Sequence, residues 1–188
     1  FINYFSKKTE IYKGMKLIDE KLGGTTPLEV ILKFPEKEKQ KTEEKDEFDD
    51  WENEEDNNEE KYWFTKDKID KISMVHNYLD SLPQIGKVLS FSSIIDVATL
   101  LNNNKPLGTL EMGVLYSKIP ASIKREIIDP YVSIKDNEAR INLRIIDSQE
   151  NLRRNDLIEK INYDLENKIG LEKNEFKLAG VLILFNNL

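Results

Sequence analysis

The segment Leu22-Gly23-Gly24-Thr25-Thr26-Pro27-Leu28-Glu29-Val30-Ile31-Leu32 constrains this chain most. Two adjacent glycines follow an amphipathic run, and either can take the left-handed conformation that closes a helix. Pro27 cannot continue a helix, and after it Leu28, Val30 and Leu32 alternate as in a strand with one buried face. The unit reads as a helix joined to a buried strand by a tight reversal, the docking element of an α+β domain. No nucleophile, base or metal cluster accompanies it, so function has to be argued from architecture.

The pattern around this corner recurs. Thr9 is placed to cap a helix over 9–22, with Ile11, Met15, Ile18 and Leu22 on one face. A strand is expected over 28–34. Thr65 is placed to cap a helix over 66–82 whose stripe is Ile69, Ile72, Val75 and Leu79, followed by Pro83, Gly86 and a strand over 87–91. Ser92 or Ser93 starts a short helix to Leu101, and Thr109 starts another to Lys118; Pro120 and Pro130 bracket a further helical piece. The clearest strand is 138–147, where Ala139, Ile141, Leu143 and Ile145 oppose Glu138, Arg140, Asn142 and Arg144. A helix over 152–169 with Leu157, Ile161, Leu165 and Ile169 and a strand over 176–184 complete the chain. Two β-α-β units result, 28–34/66–82/87–91 and 138–147/152–169/176–184. They are the ingredients of ferredoxin-like, split β-α-β packing with helices over one face of a sheet.

Composition narrows the functional classes. The net charge is −7, yet residues 36–61 hold 14 Asp/Glu against 5 Lys/Arg. The acidity belongs to this insert, which reads as a solvated, flexible loop; the sharper reading is an acidic dock for a cation or a basic partner. Basic residues come only as short pairs such as Lys7-Lys8 and Arg153-Arg154, which argues against a nucleic-acid partner. The absence of cysteine excludes disulfides and thiolate chemistry. No run of about 20 apolar residues is present. The single histidine, His76, falls within a helical pattern and reads as a surface or half-buried structural residue. Asp147, Glu150, Asp156 and Glu159 read as solvated helix-face charges rather than a catalytic pair. Gly23-Gly24-Thr25-Thr26 lacks the lysine of a phosphate loop. No enzyme activity, cofactor or metal is expected. Met112, Leu115 and Tyr116 are more apolar than a surface helix requires; they fit core packing or, alternatively, the wall of a cleft for lipid-like ligands.

Six segments, in order, are Phe1-Ile2-Asn3-Tyr4-Phe5, residues 19–30 of the corner, Leu79-Asp80-Ser81-Leu82-Pro83-Gln84-Ile85-Gly86-Lys87-Val88-Leu89-Ser90, Asp129-Pro130-Tyr131-Val132-Ser133, Ile145-Ile146-Asp147-Ser148 with Leu152-Arg153-Arg154, and Leu184-Phe185-Asn186-Asn187. Together they resemble a periplasmic loop of resistance-nodulation-division (RND) superfamily exporters, nearest the MmpL-like branch that includes hopanoid and lipid transporters. The resemblance spans nearly the whole chain except the acidic insert. It implies an extracytoplasmic porter domain over 1–188, built of two intertwined ferredoxin-like subdomains at about 1–91 and 92–188. It further implies the periplasmic face of a bacterial inner membrane, a hydrophobic or lipid-like substrate moved by proton motive force, flanking transmembrane helices of the same protein, and a homo-oligomer at full length. Proton-relay carboxylates of such exporters lie in membrane helices, so no catalytic residue carries over; Met112, Leu115 and Tyr116 are the expected substrate contacts. The abrupt start at Phe1 and the apolar end at 181–188 fit a domain excised between two membrane spans. The alternative is a binding or assembly module of a protein-secretion or other membrane machine.

Overall fold

The computed structural model describes residues 5–35, 60, 63–149, 152–181 and 183. Along the chain run α1 (Glu10–Lys21), β1 (Thr26–Lys33), α2 (Lys66–Asp80), β2 (Ile85–Leu89), α3 (Phe91–Leu101), α4 (Thr109–Lys118), α5 (Ala121–Ile127), β3 (Val132–Ser133), β4 (Glu138–Ile145), α6 (Arg154–Asn167) and β5 (Phe176–Ala179). Except for Glu60, the acidic insert expected at 36–61 lies outside the described residues.

The architecture is α+β: the described residues form six helices and one five-stranded antiparallel sheet of order β2-β4-β1-β5, with β3 beside β4. The longest pairing, β1 with β4, runs from Thr26 opposite Ile145 to Lys33 opposite Glu138. β2 also pairs antiparallel with β4, and β5 antiparallel with β1. β1 and β2 therefore run in one direction on either side of β4. Strands from 1–91 and from 92–188 interleave in this sheet.

Alternation decides which face is buried. Leu28, Val30 and Leu32 of β1 and Ala139, Ile141, Leu143 and Ile145 of β4 all point into the core. Against them lie the stripes of α2 (Ile69, Ile72, Val75, Leu79) and α6 (Leu157, Ile161, Leu165). The other face carries Glu29, Ile31, Lys33, Arg140, Asn142, Arg144, Lys87 and Lys177 and is mostly polar or charged. An aromatic series extends the core past the end of β1: Phe34 meets Trp63, Trp63 meets Phe64, and Phe64 meets both Phe91 and Tyr116 at centroid distances of 4.7 to 5.6 Å.

The two glycine corners touch. Gly23 (φ 80°) and Gly24 (φ 98°) turn the chain out of α1. A Cβ on Gly86 would lie 2.5 Å from the backbone of Gly23, and one on Gly23 would lie 2.6 Å from the Gly86 oxygen. Only two bare backbones can pass this closely. The register between β2 and β4 slips at Gly86, between Ile85 and Lys87.

Several boundaries differ from the sequence reading, each for a local reason. β2 begins at Ile85 and ends at Leu89; Phe91 already belongs to α3. The cap of α3 is Ser90, not Ser92 or Ser93: its Oγ accepts from the Ser92 N–H at 3.1 Å, and Ser93 sits at the third helical position. Thr65 makes no capping bond, and Thr109 Oγ1 from α4 accepts the Lys66 N–H instead, at 3.2 Å. β5 stops at Ala179, because Gly180 turns the chain at φ 121°. The stripe expected to bury α1 faces outward: Ile11 and Leu22 are 59 % and 60 % exposed, and Asp19 is the buried residue of that helix.

Candidate functional site

The three expected substrate contacts lie on α4, and the structure splits them. Met112 and Tyr116, four residues apart, face inward and are buried; Leu115 faces outward with Leu110 and Val114. Tyr116 packs its ring on Phe64, donates its hydroxyl to Glu60 Oε2 at 2.8 Å, and carries the Lys124 ammonium 3.9 Å from its ring centre. Burial and the Glu60 carboxylate push its phenol above the usual tyrosine range. Met112 and Tyr116 thus belong to the core cluster, while Leu115 belongs to an apolar surface. That surface is distributed over the helices between β2 and β3. Val97, Leu100 and Leu101 of α3, Leu110 and Val114 of α4, and Ile123 and Ile127 of α5 are all exposed. Single exposed apolar residues are ordinary; a run of them over three consecutive helices is the kind of surface that meets an apolar partner.

Four polar constellations carry the remaining chemistry. Asp19 accepts hydrogen bonds from Thr25 Oγ1 at 2.6 Å, from the Asp147 N–H at 3.1 Å and from the Ser148 N–H at 2.7 Å. Burial pushes its carboxyl up, and these hydrogen bonds outweigh it, so the group sits below the ordinary aspartate value. Asp147 is buried in turn; the Arg154 guanidinium outweighs that burial and holds it below the usual range. Asp164 of α6 takes the Lys160 ammonium at 2.7 Å, the Lys168 ammonium at 2.9 Å and the Tyr78 hydroxyl at 2.7 Å. The Lys160 bond first, then Lys168 and Tyr78, hold that carboxyl well below its usual range. Tyr78 is pushed upward by burial and by the same carboxylate.

The fourth constellation is His76, which is buried rather than at the surface and places Nδ1 2.9 Å from Ser90 Oγ. A serine beside a histidine invites a nucleophile reading. Here Ser90 is fully buried and its Oγ already caps α3. A cleft of about 260 Å³ lies elsewhere, among Gln84, Gln149, Leu152, Arg153, Asp156 and Lys160. A recess of about 60 Å³ sits by Ile31, Tyr131 and Arg140. Neither touches His76 or Ser90, so no substrate reaches that pair by these clefts. Among the described residues no group of three or more His, Asp or Glu is placed to hold a metal ion, and no helix is long and apolar enough to cross a membrane.

Sequence reasoning missed Asp19, Asp164 and the partner of His76. The bonds of Asp19 to Asp147 and Ser148, of Asp164 to Tyr78 and of His76 to Ser90 join separate elements, which periodicity does not report. The Lys160 and Lys168 pairs of Asp164 lie at helical spacing but look like solvated charges in the sequence. The one available signal was an Asp at position 19, next to the apolar stripe rather than on the polar face of α1. No protein-family model matches the chain, no curated protein matches it, and no solved structure matches it.

Proposed function

We propose that the chain is an extracytoplasmic substrate-handling domain of a proton-driven, RND-type exporter of hydrophobic or lipid-like molecules, on the periplasmic face of a bacterial inner membrane. The observation that carries the reading is the strand order β2-β4-β1-β5, all antiparallel. Joined through α2 and α6, it is the order expected when two β-α-β units interleave in a ferredoxin-like sheet, the fold that the resemblance to porter loops implies. The helices α3 to α5 supply a second support, because their exposed apolar side chains suit a surface along which a lipid-like molecule moves. Leu115 is the member of the expected contact set that this surface retains, with Leu110 and Val114 beside it; Met112 and Tyr116 shape it from behind.

The test is made in the intact protein encoded by the gene. Flanking membrane spans in duplicate halves with intramembrane acidic residues are expected. Leu110→Asp and Leu115→Asp should reduce export of a fluorescent lipid from proteoliposomes bearing a proton gradient, with the melting temperature of the isolated domain unchanged. A gene without flanking spans, or unimpaired transport by both variants, would sink the reading. The second reading, an assembly module of another membrane machine, draws on the outward apolar stripe of α1; the absence of intramembrane acidic residues in the flanking spans would favour it.

A further inference from the structure

The first turn of α3 is stitched to α2 by two side-chain hydrogen bonds, His76 Nδ1 with Ser90 Oγ at 2.9 Å and Ser92 Oγ with Ser73 Oγ at 3.0 Å. The direction of the first is set by the imidazole tautomer, and the helix cap favours one of the two. Ser90 Oγ accepts the Ser92 N–H as the cap of α3. Its own hydroxyl proton needs an acceptor, since Ser90 is fully buried. Neutral His76 with its proton on Nε2 offers Nδ1 for that purpose. Proton uptake by His76 reverses the arrangement. Nδ1 becomes a donor to the Ser90 oxygen and can no longer accept, which leaves the buried Ser90 hydroxyl proton without its acceptor. It also places a cation at the positive end of the α3 dipole.

We propose that His76 is a proton-operated latch on α3: neutral, it holds the first turn of α3 against α2, and protonated, it loosens that turn and with it the start of the α3–α5 surface. The charged groups that act on the ring are Asp80 of α2 and Asp96 of α3, and both favour the imidazolium. Burial opposes them and prevails, so the ring gives up its proton more readily than a free histidine. The stability contributed by neutral His76 is therefore complete above the ordinary histidine range, near pH 6.5, and is lost as pH falls through the lowered folded value. This inference stands on the α2–α3 contact and holds whether or not the exporter reading does.

Two measurements on the whole chain decide it. Because the sequence has one histidine, NMR gives one imidazole Cε1–H signal, which should titrate below the free-histidine value. Amide exchange in the first turn of α3, corrected for intrinsic rate, should quicken roughly threefold or more between pH 7.5 and pH 5.5, while amides of β1 and β4 stay constant. His76→Asn keeps an acceptor close to the Nδ1 position and takes up no proton, so its α3 exchange should be level across that range. A signal titrating at or above the free value, equal α3 protection at the two pH values, or an Asn variant that follows the wild type would each overturn the latch. Should His76→Asn fail to fold, the two wild-type measurements decide alone.

Discussion

A single carboxylate, Asp19, joins three chain segments, because its two oxygens take the backbone N–H groups of Asp147 and Ser148 and the hydroxyl of Thr25. Removing it leaves those donors buried at the end of the sheet without a charged acceptor. Asp19→Ala should therefore lower stability by about 2–4 kcal/mol in urea unfolding; a loss under about 0.5 kcal/mol would contradict the assignment. The carboxyl sits below its ordinary value, so its contribution is present above about pH 4 and is lost as pH falls through the folded value. The gap between wild type and Asp19→Ala should shrink from pH 6 to pH 3. Tyr78→Phe removes the hydroxyl that Asp164 accepts and should cost about 1 kcal/mol, read the same way. Little of this was legible beforehand, beyond the place of Asp19 next to the apolar stripe of α1. An aspartate in an amphipathic helix looks solvated, and the identity of its donors depends on where β4 ends.

At the scale of the element, the helices and the four longer strands followed from periodicity, the two-residue β3 (Val132–Ser133) is too short to leave a pattern, and the misplacements trace to particular residues. Ser90 reads as the tail of the strand Lys87-Val88-Leu89-Ser90-Phe91, yet its hydroxyl caps α3 and its ring partner His76 lies one helix back. Ser90→Ala should cost about 1–2 kcal/mol in thermal or denaturant unfolding, more than Thr109→Ala, whose hydroxyl caps α2 at an exposed site. Equal costs would mean the His76 bond adds nothing. Gly86 was legible as a corner, but not as a contact with Gly23, since its φ is unexceptional and the constraint is purely spatial. Gly86→Ala should cost about 2–4 kcal/mol, as one backbone must retreat from the other; a neutral result would show that the corners separate freely. The outward stripe of α1 could not be foreseen, because amphipathicity tells which face seeks a partner and leaves open whether the same chain supplies one.

At the scale of the whole molecule, two stretches of sequence share one sheet, and the alternation in 138–147 was the clue that this strand has an apolar, buried face and a polar one. The strand order itself was not legible, since register is settled by contacts between β1 and β4 more than 100 positions apart. The polar face holds Lys87 directly opposite Arg144, and like charges in that position oppose each other. Lys87→Glu should gain about 0.5 kcal/mol at low salt, with the gain fading at 1 M salt; a loss at low salt would show that the two cations do not interact. The corner has a mechanical consequence as well. α1 is fastened at its C-terminal end, through Asp19 and the passage of Gly23 over Gly86, and is otherwise turned outward. A load on the chain ahead of α1 would be delivered at one end of β4 and β2, so α1 is a lever arm with its fulcrum at the sheet's rim. Under tension it should peel first, at a force set by the Asp19 bonds, while the sheet and its two covering helices stay closed.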